Sequence, residues 1–129
     1  MKKNEPELSG TEILKMLRDK NIEVTLISDD TINLYPYDDL SRDQIEFLRK
    51  NKPKLIHELK REKRFDRVWE MLKEQPESKR AVLTDLSTNR DNAILTIAIR
   101  DQYILEMLIP KVKYDGFTVL EIIQKSGLQ

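Results

Sequence analysis

The chain of 129 residues has no cysteine. Disulfides, thiolate metal sites and cysteine nucleophiles are thereby excluded together. A single histidine, His57, rules out a multi-histidine metal cluster. The three glycines, Gly10, Gly116 and Gly127, stand singly at element ends, so no glycine-rich phosphate loop is present. Charge of one sign is also missing, because 23 Lys and Arg balance 23 Asp and Glu. That balance argues against a histone-like nucleic-acid binder and equally against an acidic mimic of DNA, since both need a one-signed field. No apolar run approaches the ~20 residues of a membrane span, and "MKKNEPELSG" has no apolar stretch behind its two lysines. A cytoplasmic protein is expected, without a membrane partner.

The apolar residues that are present, 39% of the chain, are periodically placed, which predicts a folded protein. A piece of about 60 residues buries only roughly 60% of its unfolded surface, so either two small halves pack together or the chain oligomerises. "SGTEILKMLRDK" opens with Ser9 and Glu12 at capping-box spacing, and Ile13, Leu14, Met16 and Leu17 supply a helical stripe that ends near Lys20 and Asn21. "IEVTLIS" puts Ile22, Val24 and Leu26 on one face. After "SDDT", the run "TINLY" resumes with Ile32 and Leu34 inward, which predicts a β-hairpin turning at Asp29 and Asp30 and ended by Pro36. Ser41 and Gln44 again have capping-box spacing, ahead of Ile45, Phe47 and Leu48. Pro53, favoured in a first helical turn, restarts helix with Asn51 or Lys52 as the cap. Leu55, Ile56 and Leu59 continue inward, and Phe65, Val68, Trp69 and Leu72 form a further apolar stripe, with Trp69 expected as a core anchor. The pattern leaves open whether one helix spans 53–74 or breaks near Lys63.

The order helix, hairpin, helix, helix over residues 9–62 resembles the TubC N-terminal docking domain family. The residues that carry the likeness are "ILKMLRDKNIEVTLISDDTINLYP" and then Leu40, Ser41, Gln44, Ile45, Leu48, Arg49, Asn51, Lys52, Leu55, Ile56 and Leu59. The resemblance implies a non-catalytic and often dimeric module that, in multienzyme synthases, captures the terminal segment of a preceding protein as a strand added to its hairpin edge. The positions matching that edge are Glu23, Thr25, Thr31, Asn33 and Tyr35, with Leu26 and Ile27 as further contacts. Family hairpins commonly carry basic side chains, whereas this one offers Glu23, Asp29 and Asp30, which points to a basic or apolar partner instead.

In the second half, Ala81–Thr84, Ala93–Ile99 and Tyr103–Ile109 read as strands, the last two joined by "RDQ". "LSTNRDN" reads as a mobile exposed loop. "KYDGFTVLEIIQKSG" predicts a turn at Asp115 and Gly116, then a helix with Val119, Leu120, Ile122 and Ile123 inward and a stop at Gly127. This half resembles uncharacterised bacterial segments, a likeness that implies no function.

Chemistry-bearing candidates are few. His57 lies on the polar side of its helix and lacks an orienting partner and a nucleophile. The carboxylates Asp29, Asp30, Asp38, Asp39 and Asp43 lack the glycine and bidentate glutamate of a calcium loop and read as turn and cap residues. No catalytic residue, metal site or cofactor is expected, and the protein reads as a non-enzyme. A rival site is the basic helix "KREKRFDR", with Lys60, Arg61, Lys63, Arg64 and Arg67, and with Lys79, Arg80 and Arg90 from later loops; it would serve a nucleic-acid-associated accessory protein of a bacterial mobile element. Glu62 and Asp66 interrupt it, as on an ordinary solvated helix, so nucleic acid is disfavoured. The reading is an α+β protein in three parts: a disordered N-terminus over 1–8, an α-β-β-α-α docking module over 9–62, and an α+β module over 63–129 with about three antiparallel strands packed with helices. Its expected function is docking to another protein's extended segment, with a homodimer as the first partnership.

Overall fold

The computed structural model describes residues 7–125. In chain order the elements are α1 (Gly10–Asp19), β1 (Glu23–Ser28), β2 (Thr31–Tyr35), α2 (Arg42–Lys50), α3 (Lys52–Glu74), β3 (Arg80–Asp85), β4 (Asn92–Ile99), β5 (Tyr103–Pro110), a 3-10 turn (Lys111–Lys113) and α4 (Gly116–Lys125). The protein is thus α+β, with a two-stranded and a three-stranded antiparallel sheet. It divides into two compact units, Met1–Arg61 and Glu62–Gln129, and the division falls inside α3. That helix is continuous, which closes the question of a break near Lys63.

In the first unit, local chemistry fixes where each helix begins and ends. Ser9 accepts a hydrogen bond from the Glu12 amide while Glu12 accepts one from the Ser9 amide, and Ser41 and Gln44 repeat this reciprocal box at α2. At the end of α1, Asn21 adopts a left-handed φ of 62°. Its amide donates to Arg18, and the Ile22 amide donates to Leu17, so the last carbonyls are satisfied and two buried side chains meet. Ile13, Leu14, Leu17, Ile22, Val24, Leu48, Leu55 and Leu59 form the core, with Leu26, Ile32, Leu34 and Phe47 packed against it. Leu8 also packs there, and its carbonyl accepts from Lys54 Nζ at 2.9 Å, so the expected disorder over 1–8 does not extend to Leu8. Gly10 is required by closeness: a Cβ there would lie 2.5 Å from the Lys54 carbonyl oxygen.

In the second unit, β4 lies between β3 and β5, and every residue from Ala93 to Ala98 is buried. Such two-sided burial explains why its sequence is almost continuously apolar. One face carries Ala93, Leu95 and Ile97, with Ile109 of β5, against Val119 and Ile123 of α4. The opposite face carries Ala98, with Ala81 of β3, against Val68 and Leu72 of α3. The three strands match their sequence-based bounds to within one residue at each end.

Several expectations are corrected. Trp69 is not a core anchor: it is 39% exposed, because Val68 and Leu72 take the sheet-facing positions and leave it on the outer side of α3. Leu120 is 54% exposed, since α4 rests on the sheet along the line of Val119 and Ile123. Gly116 is the first residue of α4, and Asp115 caps it by accepting from the Thr118 amide at 2.9 Å. The segment expected to be a turn-forming exposed loop does form local turns at both ends, and residues 86, 87, 90 and 91 are exposed. Asp85 accepts from Ser87 and Thr88, and Asn89 Oδ1 accepts from the Asp91 and Asn92 amides. The proposed stop at Gly127 lies outside the described residues.

Candidate functional site

The hairpin of the first unit places the sequence-selected residues on its outward side. Cross-strand partners are Glu23 with Tyr35, Val24 with Leu34, Thr25 with Asn33, Leu26 with Ile32, and Ser28 with Thr31. Alternation therefore separates Glu23, Thr25, Thr31, Asn33 and Tyr35, all exposed, from Val24, Leu26, Ile32 and Leu34 on the core side. Leu26, named as a contact on the sequence, instead packs against the core. The register shifts between Leu26 and Ser28, and the extra residue, Ile27, is turned out with 64% of its surface exposed. Tyr35, at 67%, and Tyr37 add exposed aromatic surface at the other end. At that open end a cavity of about 470 Å³ is lined by Arg18, Asn21, Glu23, Tyr35 and Pro36, among others.

No third strand joins this sheet among the described residues, so both outer edges carry unpaired backbone donors and acceptors. The edges differ in chemistry. β1 carries the bulge and the charge of Glu23, two features that blunt an edge against pairing, whereas β2 runs Thr-Ile-Asn-Leu-Tyr in regular register with no charged residue. At the turn, Asp29 lies 3.8 Å from Lys60 Nζ, and Asp30 Oδ1 accepts from Ser28 and Thr31 hydroxyls. These carboxylates shape the turn.

The basic helix is dispersed by the fold. Arg64 is 5% exposed and points into the second unit, where its Nε donates to Glu106 Oε2 at 2.7 Å and its Nη2 to Glu106 Oε1 at 3.2 Å. Its Nη1 also donates to Asp85 Oδ2 at 3.3 Å, and the buried Thr96 hydroxyl donates to Glu106 Oε2 at 2.6 Å. Burial alone would raise the Asp85 pKa; hydrogen bonds from Thr88 and Ser87 outweigh it and hold the group at about 2. Lys60 lies near Asp29, Arg61 pairs with Glu58, and Arg67 pairs with Glu70 and Glu74. Of the five cations only Lys63 is exposed and without an ion-pair partner among the described residues. His57 is exposed on the outer side of α3.

The Arg64 network escaped sequence reasoning, although a signal existed. Thr96 and Glu106 are polar residues inside "AILTIAI" and "YILEMLI", and they are direct cross-strand partners. Arg100 was missed in the same way: it donates to the carbonyls of Leu72 and Gln75 at the C-terminal end of α3, and to that of Ser78 in the loop beyond. Among the described residues, no group of three His, Cys, Asp or Glu is placed to hold a metal ion. No helix among them is long and apolar enough to cross a membrane. Compared with protein-family models, curated proteins and solved structures, the chain matches none.

Proposed function

We propose that this protein is a non-catalytic docking protein whose N-terminal hairpin accepts an extended protein segment as a third strand, with a second copy of the chain as its first partner. The observation that supports this reading is the regular, uncharged and unpaired outer edge of β2 in a sheet of only two strands. Backbone pairing along such an edge supplies affinity, and the exposed Thr31, Asn33 and Tyr35 supply choice of partner. The resemblance of residues 9–62 to TubC-type docking modules points the same way. The acidic residues Glu23, Asp29 and Asp30 beside the hairpin favour a neutral or basic segment.

The nucleic-acid reading has less support. Its central residue, Arg64, is committed to Glu106 and Asp85, and Arg61 and Arg67 sit beside carboxylates. Light scattering over a concentration series, with and without a DNA duplex and a single strand, separates the two. Self-association that ignores nucleic acid is expected. Thr31→Lys with Tyr35→Lys places charge along the edge without touching a buried group and should weaken association about tenfold or more. Lys63→Glu with Arg67→Glu should leave it unchanged. A monomer whose mass rises only with DNA would overturn the proposal.

A further inference from the structure

The exposure of Trp69 has a counterpart in the surface around it. Asp66, Trp69, Glu70 and Lys73 follow one another at helical spacing along α3, and the β4–β5 turn brings Arg100 and Asp101 over them. Together with Leu72 these residues line a cavity of about 560 Å³, a volume in the range of small-ligand sites. It lies wholly within the second unit.

The state of each charged group defines what this cavity accepts. The Arg100 guanidinium is turned away to the backbone, donating to three carbonyls at 2.7–3.0 Å. Glu70 already pairs with Arg67 at 3.1 Å. The carboxylates of Asp66 and Asp101, supplied by two different elements, have neither a hydrogen bond nor an ion pair to any described residue, and the same holds for the exposed Lys73 ammonium, which also lines the cavity. Asp101 is carried at φ 61°, the left-handed conformation that the turn imposes and that Asp tolerates better than most residues. The cavity thus combines a partly exposed indole with two unpaired carboxylates and one unpaired ammonium, that of Lys73.

A bare aromatic could serve as a platform for a nucleic-acid base, but its phosphates would meet the three carboxylates of Asp66, Glu70 and Asp101 against the one free ammonium of Lys73. A cation is attracted by both the carboxylates and the indole face, and a planar cation can stack on the ring while donating to a carboxylate. We infer that the Trp69 cavity is a binding site for a guanidinium group, presented either by a small arginine-like molecule or by an arginine side chain of a polypeptide. This site is independent of the hairpin and stands whether or not strand addition occurs.

Trp69 is the sole tryptophan, so its emission reports the cavity directly. The full-length protein is titrated with N-acetyl-arginine amide, with the neutral isostere N-acetyl-citrulline amide, and with an arginine-containing tripeptide. A saturable emission change with the arginine amide is expected. Citrulline should bind at least about threefold more weakly, the loss expected for an exposed cation–π contact. Asp101→Asn and Asp66→Asn should each weaken arginine binding while leaving the far-UV circular dichroism unchanged. Tighter binding of the tripeptide identifies a polypeptide source, and equal binding a small-molecule one. A non-saturating response, equal binding of citrulline, or full affinity in the folded Asp101→Asn and Asp66→Asn variants would overturn the assignment.

Discussion

At the scale of the residue, the second unit turns on Arg64. Two carboxylates, a hydroxyl and a guanidinium share a buried face between α3 and the sheet, and each polar group finds a partner. Such a network is worth little net, yet breaking it leaves uncompensated charge out of water. Arg64→Ala should therefore destabilise the protein by about 3–5 kcal/mol, read by urea unfolding through Trp69 emission. Asp85 adds a pH dependence of definite sign. Its folded pKa of about 2 lies below the ordinary 3.8, so its contribution is complete above about pH 4 and is lost as pH falls through 2. Unfolding curves between pH 5 and 2 should lose about 1 kcal/mol from this group once solvent screening is allowed for, and Asp85→Asn should flatten that acid limb. Side-chain roles were the least legible part of the sequence. A string of Lys and Arg looks solvated until the fold shows that one of them faces a strand carrying Glu106, and that pairing lies 42 residues away. Trp69 was misplaced for a related reason: four apolar residues on one helix compete for the sheet, and the geometry of α3 admits Val68 and Leu72 first.

At the scale of the element, sequence and structure agree closely, because the signals are local. Both serine capping boxes, the Asp29–Asp30 turn, the strands and the proline-started α3 follow from spacing and backbone preference within a few residues. What spacing could not show is where elements touch. Gly10 read as a residue at a helix end, but its lack of a side chain is what lets α1 approach the first turn of α3. Gly10→Ala should force the two apart and cost about 1–3 kcal/mol, despite the better helix propensity of alanine; thermal unfolding measures it. The bulge at Ile27 was equally hidden, since alternation alone continues through it. That bulge distinguishes the two edges of the hairpin and turns attention from β1 to β2. Arg100→Ala should remove two hydrogen bonds at the end of α3 and a third to Ser78 in the following loop, and cost about 2 kcal/mol or more in the same assay.

At the scale of the whole molecule, two small units of different architecture follow one another, and each leaves a distinct surface. The first offers backbone pairing along β2, and the second a carboxylate-rimmed indole. The α+β class was readable from alternating periodicities, whereas function rests on which groups remain unsatisfied after folding. Strand addition has a signature that no other mode of association shares: amides on alternate residues of one hairpin strand become hydrogen-bonded. Amide hydrogen exchange, followed residue by residue by NMR as protein concentration is raised, tests it most directly. Alternate amides along β2 should slow with concentration while the scattering mass rises toward twice 15.3 kDa. Hairpin exchange that is indifferent to concentration, or protection confined to the helices, would contradict strand addition.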